Sequence, residues 1–441
     1  MTPSLTAALS AAGLFKRELW ADMSRFTQRS DGRPTSQQAA AAGPNSTEAP
    51  EPLKPAVVTG LIVTMAALGA MTAIYGPSIL GFKAVFGVTS AAAGATLAIQ
   101  SVGAVMGVLI APSLARRKGA RTALSALSML IVAGAVAIAV VPFWSLTLFA
   151  AFIAGVGVGG CDILATQLLI RRMGARGPAL VNVAHGFFGV GTVAAPAAVA
   201  LVGPEHYQLV FVAIGVLGLY GWLSLRWFVD APGDATADQV VGVVEVGARS
   251  RRVRSLGVWV MAGFLVLYIS HFAVQTGIGT WEPTLLRSLG HDARTAALLT
   301  SLYWLALVVG RFGAAALARY VSTPLLVCGS CLGMLAGTLL ATQPEMAALG
   351  LLIAGFFMGP IFPNGLTWLA TTGHAHGNRF AYVVAAAFSG MAFSPWLVGV
   401  AIQNWGAEVM PLIVSALGAV SVASSLLLVA LTRPRRGTSS P

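Results

Sequence analysis

Long runs of apolar residues, separated by short polar breaks, fill the chain from residue 56 to residue 431. Each run is close to the ~20 residues with which an α-helix crosses about 30 Å of hydrocarbon. A transmembrane β-barrel would instead show alternating segments of about ten residues. The pattern therefore predicts twelve membrane-spanning helices, span 1 to span 12, at about 57–80, 90–114, 122–141, 146–170, 179–202, 208–228, 256–280, 296–318, 324–342, 346–370, 380–403 and 408–431.

The composition agrees with this pattern, because 56% of the residues are hydrophobic and only 10% are charged. A soluble domain carries roughly 25% charged residues, and a disordered chain is poor in apolar ones. Both classes are excluded, and the predicted fold class is an all-α membrane protein.

Polar segments divide the chain into five parts. Residues 1–54 are rich in Ala, Pro and Ser and predict a largely disordered cytoplasmic tail. Residues 229–255 form the longest break between spans and are expected to be a cytoplasmic central loop. The loop separates two six-helix halves at 55–228 and 256–431, and residues 432–441 form a second cytoplasmic tail.

The net charge of +12 is distributed unevenly between the two sides of the predicted membrane region. One side holds most of the Lys and Arg residues, while its opposite loops hold only Lys83, Arg287 and Arg294. Basic loops stay in the cytoplasm, so we expect a multi-pass protein of the inner membrane with both termini cytoplasmic. The same residues face anionic lipid, and we expect no nucleic-acid partner.

Short motifs recur in the two halves at nearly constant separation, which predicts two six-helix repeats. The pairs are Leu114-Ala-Arg116 with Leu317-Ala-Arg319, Ile153-Ala-Gly155 with Ile353-Ala-Gly355, and Gly189 and Pro196 with Gly390 and Pro395.

Several motifs give the sequence a family resemblance over about residues 57–431. They are Gly76-Pro-Ser-Ile-Leu80, Gly155-Val-Gly-Val-Gly-Gly-Cys-Asp162, Asn182-Val-Ala-His-Gly-Phe-Phe-Gly-Val-Gly191, Gly277-Ile-Gly-Thr-Trp281, Gly310-Arg-Phe-Gly313 and Gly359-Pro-Ile-Phe-Pro363. The sequence resembles the major facilitator superfamily, and within it the fucose–galactose–gluconate:proton symporters and their glucose-transporter-like relatives. The resemblance implies the major facilitator fold and proton-coupled sugar transport by rocking of the two halves.

The sequence departs from these relatives at positions that matter for coupling. The superfamily loop motif has an Asp where this chain has Arg116 and Arg319, and some relatives have a Glu in place of Gln275. Residues 56–80 contain no Asp, Glu, Lys, Arg or His, although related symporters often have an acid there. Sodium therefore stays open beside the proton as the coupling ion.

Asp162 is the only acid that the sequence places deep inside an apolar run. An ionised carboxylate at mid-membrane costs roughly 2.5–3.5 kcal/mol on insertion scales, and such residues mark ion pathways. We therefore predict that Asp162 carries the coupling proton, with an Asp bonded permanently to a neighbouring helix as the alternative.

The resemblance implies that spans 1, 4, 7 and 10 line a central cavity. His271 and Gln275 share one face of span 7, where His271 fits a ligand contact and a core histidine equally well. Glu282 directly precedes Pro283 and is expected to be a solvated loop acid. The predicted solute contacts, including one on span 2, are Gln100, Thr166, His271, Gln275, Trp281, Asn364 and Trp368.

The resemblance to the superfamily loop motif implies a gating role for Arg116, Arg311 and Arg319. Asn182 and His185 lie near the cytoplasmic end of span 5, where a gate or packing role fits as well as a ligand contact.

No catalytic constellation is present. The sequence lacks the phosphate-binding loop of ATPases, the H-E-x-x-H metal motif and the G-x-S-x-G nucleophile turn. His374-Ala-His376 offers only two metal ligands, and Cys328-Gly-Ser-Cys331 fits helix packing better than redox chemistry. We expect no enzyme activity, no metal and no cofactor besides an ion gradient.

These observations predict a monomeric secondary transporter of a small polar, sugar-like solute, coupled to protons. Two alternatives stay open: a proton-driven exporter of amphipathic compounds or drugs, and a non-transporting membrane receptor or scaffold.

Overall fold

The computed structural model describes residues 51–231, 234, 254–318, 320–372 and 379–432. Within these ranges the chain is helical and contains no β-strand, and twelve helical segments have the length and hydropathy to cross a membrane. The predicted fold class is confirmed.

The helices are Pro55–Ala73 and Tyr75–Phe86 in span 1, Ser90–Lys118, Ala120–Val140, Trp144–Arg172, Gly177–Val202 and Tyr207–Ser224 in spans 2 to 6, Arg254–Ser288, Ala293–Leu317 and Thr323–Leu340 in spans 7 to 9, Ala347–Met358 and Ile361–Thr371 in span 10, and Arg379–Trp405 and Met410–Thr432 in spans 11 and 12.

The packing of spans 1 to 6 is repeated by spans 7 to 12. Span 1 packs on spans 5 and 6 as span 7 packs on spans 11 and 12. Span 2 packs on span 4 as span 8 packs on span 10, and span 3 packs on spans 4 and 6 as span 9 packs on spans 10 and 12. Between the two groups, span 2 packs on span 11 and span 5 on span 8. The contacts thus have the two-fold repetition that the recurring motifs predicted.

The spans run back and forth between two ends of the bundle. The basic end is where span 1 begins at Pro55, span 4 ends at Arg172 and span 12 ends at Thr432. The far end is where span 1 ends at Phe86 and span 2 begins at Ser90.

Glycines bring neighbouring helices into backbone contact. A Cβ atom on Gly155 would collide with the backbone oxygen of Gln100, and one on Gly159 with that of Ala104. Small residues allow such close approach between membrane helices. The glycine run of span 4 therefore serves packing against span 2.

The first residues described are ordered, although the sequence places them in the tail. Leu53 is buried in the apolar core of the first six spans. Residues 1–50, 235–253 and 433–441, with Arg319, His374 and His376, lie outside the described residues.

Candidate functional site

Asp162 on span 4 faces His185 on span 5. The Nε2 atom of His185 lies 3.7 Å from Oδ1 of Asp162, and the two side chains are 40% and 38% exposed. The Nδ1 atom of His185 lies 2.9 Å from the carbonyl oxygen of Val181. Since that carbonyl can only accept, Nδ1 carries the proton there, and Nε2 is left to face the carboxyl group. Asp162 is therefore an accessible acid with a basic neighbour, and Thr166 lies half-buried one turn further along span 4.

Span 7 and span 2 contribute buried polar groups with unused hydrogen-bonding capacity. His271 and Gln275 are both buried on span 7, and the Nδ1 atom of His271 has no hydrogen-bond partner in the described ranges. The Oε1 atom of Gln100 on span 2 is likewise buried without a partner. Buried polar groups of this kind call for an explanation, and binding of a hydroxyl-rich solute is one.

Span 10 is broken between Met358 and Ile361, where Gly359 and Pro360 stand. The Nδ2 atom of Asn364 donates to the carbonyl oxygen of Pro360 at 2.8 Å. The side-chain amide of Asn364 therefore provides a hydrogen bond to a carbonyl group at the break in the helix. Trp368 is buried one turn later and packs edge-on against Phe264, with ring centroids 5.4 Å apart.

The predicted gating residues have different surroundings. Arg311 lies at the break of span 10, with its Nε atom 3.4 Å from the carbonyl oxygen of Gly359. Arg116 is exposed and donates from Nη2 to Oγ of Ser113 at 2.8 Å. Asn182 is exposed near the start of span 5. Among the three predicted arginines, Arg319 lies outside the described part of the chain, and Arg311 contacts a broken helix.

The two halves meet closely at the far end, in a contact that we call the far seam and define by Gly76, Gly94, Gly279, Trp281 and Pro395. A Cβ atom on Gly76 of span 1 would collide with the backbone oxygen of Gly279 of span 7. A Cβ atom on Gly94 of span 2 would collide with the oxygen of Pro395 of span 11 and lie 2.7 Å from the ring of Trp281. Nε1 of Trp281 donates to the oxygen of Pro395 at 2.8 Å. In this conformation the indole of Trp281 is enclosed, so its predicted stacking on a solute stays a prediction.

Two expectations from the sequence are wrong because of the position of Glu282. It was expected to be a solvated loop acid, but it is 0% exposed and lies within the helix Arg254–Ser288. Neither carboxyl oxygen has a hydrogen-bond partner among the residues that the structure describes. Asp162 is therefore not the only acid inside a span.

The helix continues through Pro283, and the missing N–H of that residue frees the carbonyl of Gly279 four residues earlier. Gly76 packs against this carbonyl. The carbonyl that the proline leaves without its helical donor thus lies at the contact between the two halves.

Arg172 has a role that its sequence pattern did not reveal. Its Nη1 atom pairs with Oδ2 of Asp234 at 2.8 Å, and both side chains are about 5% exposed or less. Its Nε atom donates to the carbonyl oxygen of Glu51 at 2.7 Å, and its guanidinium lies 5.8 Å from the ring centroid of Phe228. The sequence had suggested only a topology signal. We call this arrangement the Arg172 clamp.

A family model described as Major Facilitator Superfamily matches residues 61–369. The chain belongs to the major facilitator superfamily. This membership makes it a multi-pass membrane transporter of a small-molecule solute, in a superfamily whose members are generally not enzymes.

Solved superfamily structures resemble the chain over most of its length. A D-xylose-proton symporter matches with a TM-score of 0.70 and 17% identity, covering 85% of this chain and 96% of that one. The nucleoside transporter NupG matches with a TM-score of 0.66 and 11% identity, covering 86% and 99%. The xylose transporter XylE from E. coli, in a partially occluded inward-open conformation, matches with a TM-score of 0.64 and 15% identity, covering 83% and 97%.

At these identities the similarity shows the fold alone. No curated protein matches the chain.

Proposed function

We propose that this transporter carries a small polar, sugar-like solute together with a proton, by alternating access of its two halves. The observation that carries the proposal is the accessible carboxyl group of Asp162 inside span 4, with the imidazole of His185 3.7 Å away. An ionisable residue inside a membrane span is a functional candidate by default.

Proton binding to Asp162 is physically linked to the conformational change of the two halves. An ionised Asp162 is stabilised by water while it is accessible. Enclosing that charge costs roughly 2.5–3.5 kcal/mol on insertion scales, whereas a protonated carboxyl group avoids the cost. The proton-loaded protein therefore changes conformation more readily than the ionised one, which is the requirement for coupling.

The buried amides and imidazole suit a neutral solute with several hydroxyl groups. Gln100, Gln275 and His271 lie on spans 2 and 7 as donors and acceptors, and neither ion pair among the described residues includes them. The solutes named for the similar structures, xylose and nucleosides, are both hydroxyl-rich, and we extend that chemistry to this chain. Thr166, Trp281, Asn364 and Trp368 complete the proposed set of contacts.

The cellular arrangement belongs to the same proposal. The protein is a monomer of the inner membrane, with both tails and the central loop at 229–255 in the cytoplasm. The basic end then faces the cytoplasm, and Arg116, Arg311, Arg319, Asn182 and His185 control access from that side.

The test uses purified protein in liposomes, with labelled pentoses, hexoses and nucleosides as candidate solutes. Counterflow identifies the solute, and accumulation under an imposed pH gradient or sodium gradient identifies the ion. Asp162→Asn should exchange solute but fail to accumulate it, since asparagine mimics a carboxyl group that never releases its proton.

Asp292→Asn is the matched control, because Asp292 is an exposed acid that precedes span 8. It should accumulate solute like the parent protein. Proton-driven accumulation that survives in Asp162→Asn would remove Asp162 from the mechanism.

A further inference from the structure

Glu282 is a buried acid that the proposed transport cycle does not use. We propose that Glu282 is a second proton-binding site, closed off while the far seam is closed and able to exchange its proton only when the seam opens. This inference adds a site to the proposed coupling and does not depend on Asp162.

No charged group among the described residues pairs with Glu282. The side chain is 0% exposed, and within the described part of the chain both carboxyl oxygens lack a hydrogen-bond partner. A buried charge without a partner costs several kcal/mol. In this conformation the carboxyl group is therefore neutral and holds a proton.

The groups that face Glu282 from span 8 are uncharged. Thr300 is its polar neighbour, and the hydroxyl of that residue donates to the carbonyl oxygen of Ala296 at 3.1 Å. Tyr303 is the titratable group within electrostatic range, and its hydroxyl donates to the carbonyl oxygen of Gln275 at 3.0 Å. Neither group is a base that could take the proton from Glu282 in place.

Further buried polar atoms without partners lie along the same part of the bundle. They are the hydroxyl oxygens of Tyr75, Thr280 and Thr284 and the Nε1 atom of Trp304. Tyr75 directly precedes Gly76 of the far seam, and the ring of Trp304 would lie 2.7 Å from a Cβ atom on Gly279. Water admitted at this end would satisfy these atoms and would hydrate an ionised Glu282 at the same time.

The far seam connects this site to the movement of the halves. Glu282 follows Trp281 directly, and Trp281 is enclosed between Gly94 of span 2 and Pro395 of span 11. Separation of the halves at the far seam removes that enclosure and brings water to the next residue. Because only the neutral carboxyl group fits the closed conformation, protons on the far side favour closing, and loss of the proton favours opening.

The first experiment is infrared spectroscopy of the protein in lipid bilayers at neutral pH. It follows the carbonyl band of protonated carboxyl groups in the parent protein, Glu282→Gln and Asp162→Asn. We expect a band in the parent protein that is absent in Glu282→Gln and retained in Asp162→Asn. An identical band in the parent protein and Glu282→Gln would show that Glu282 is not protonated and would overturn the proposal.

The second experiment holds the far seam open. Gly94→Trp places an indole where even a Cβ atom collides with Pro395, whereas the control Gly329→Trp adds the same ring at a position with nothing within 4 Å. The band of Glu282 should be lost at neutral pH in Gly94→Trp and kept in Gly329→Trp. A band that persists in folded Gly94→Trp would overturn the link to the seam. If Gly94→Trp does not fold, the substitution Gly76→Val tests the same link, since a Cβ atom there collides with Gly279.

Discussion

The two ends of the bundle are held together by opposite kinds of contact. At the far end, glycines of one half pack on backbone oxygens of the other, as Gly76 does on Gly279. At the basic end, the Arg172 clamp joins parts of the same half through a buried ion pair with Asp234. Close packing is lost after a small displacement, whereas breaking a buried ion pair costs about 3–5 kcal/mol. We expect the transport movement to separate the far seam and to leave the clamp intact.

Removing the clamp should have the largest effect on stability. Arg172→Met leaves Asp234 buried without its partner, and we expect a loss of about 3–5 kcal/mol in the free energy of unfolding. Thermal unfolding of the detergent-solubilised protein measures it.

Arg117→Met provides the matched control, because Arg117 is exposed near the end of span 2. It should leave the unfolding temperature nearly unchanged. Equal losses in the two variants would mean that the clamp contributes no more than an ordinary surface arginine.

Adding a side chain to the far seam should change the ratio of closed to open conformations more than it changes the stability of the fold. Gly76→Val forces the added atoms against the carbonyl of Gly279. Overpacking of this kind costs about 1–3 kcal/mol, which corresponds to a loss of about 5–150-fold in the closed population. The measurement is the transport rate, together with the labelling of far-end residues by a water-soluble reagent.

Gly329→Val serves as the control, since a Cβ atom there has open space. Normal transport by Gly76→Val would show that the far seam does not need its backbone contact.

Between the two ends, the side chain of Gln275 should matter for binding and little for folding. Only its backbone oxygen holds Tyr303, so Gln275→Ala keeps that bond. Loss of one hydrogen bond to a neutral solute costs about 0.5–1.5 kcal/mol. Solute affinity and unfolding temperature, measured on the same preparation, separate the two effects. Unchanged affinity would assign Gln275 to packing.

The smallest expected effect on stability comes from a substitution at the exposed start of span 8. The side-chain and backbone hydrogen bonds of Thr295 hold the pKa of Asp292 below its ordinary value of 3.8. A lowered pKa in the folded state stabilises the protein above the ordinary pKa, and this contribution is lost as the pH falls through the lowered value. Asp292→Ala should therefore unfold at a slightly lower temperature at neutral pH. A difference that stays the same in acid would exclude the carboxylate as its cause.

The sequence predicted the parts of the structure that depend on local pattern. Run length and hydropathy predicted the twelve spans, the recurring motifs predicted the two-fold packing, and a lone acid in an apolar run drew attention to Asp162. The burial of Glu282 depends on tertiary contacts and could not be predicted from the sequence. A residue before a proline near the end of an apolar run has the local pattern of a loop. The Arg172 clamp was equally hidden, since Asp234 lies beyond two further spans of the chain.

The Arg172 clamp also brings the beginning and the end of the first half of the protein together. One side chain holds the chain at Glu51, just before span 1, and at Asp234, after span 6. Entry and exit of the half therefore meet at a single point, and domains with adjacent ends tolerate circular permutation and division of the chain. Two separately synthesised halves are thus expected to associate through the contacts of span 2 with span 11, of span 5 with span 8 and of span 1 with span 7.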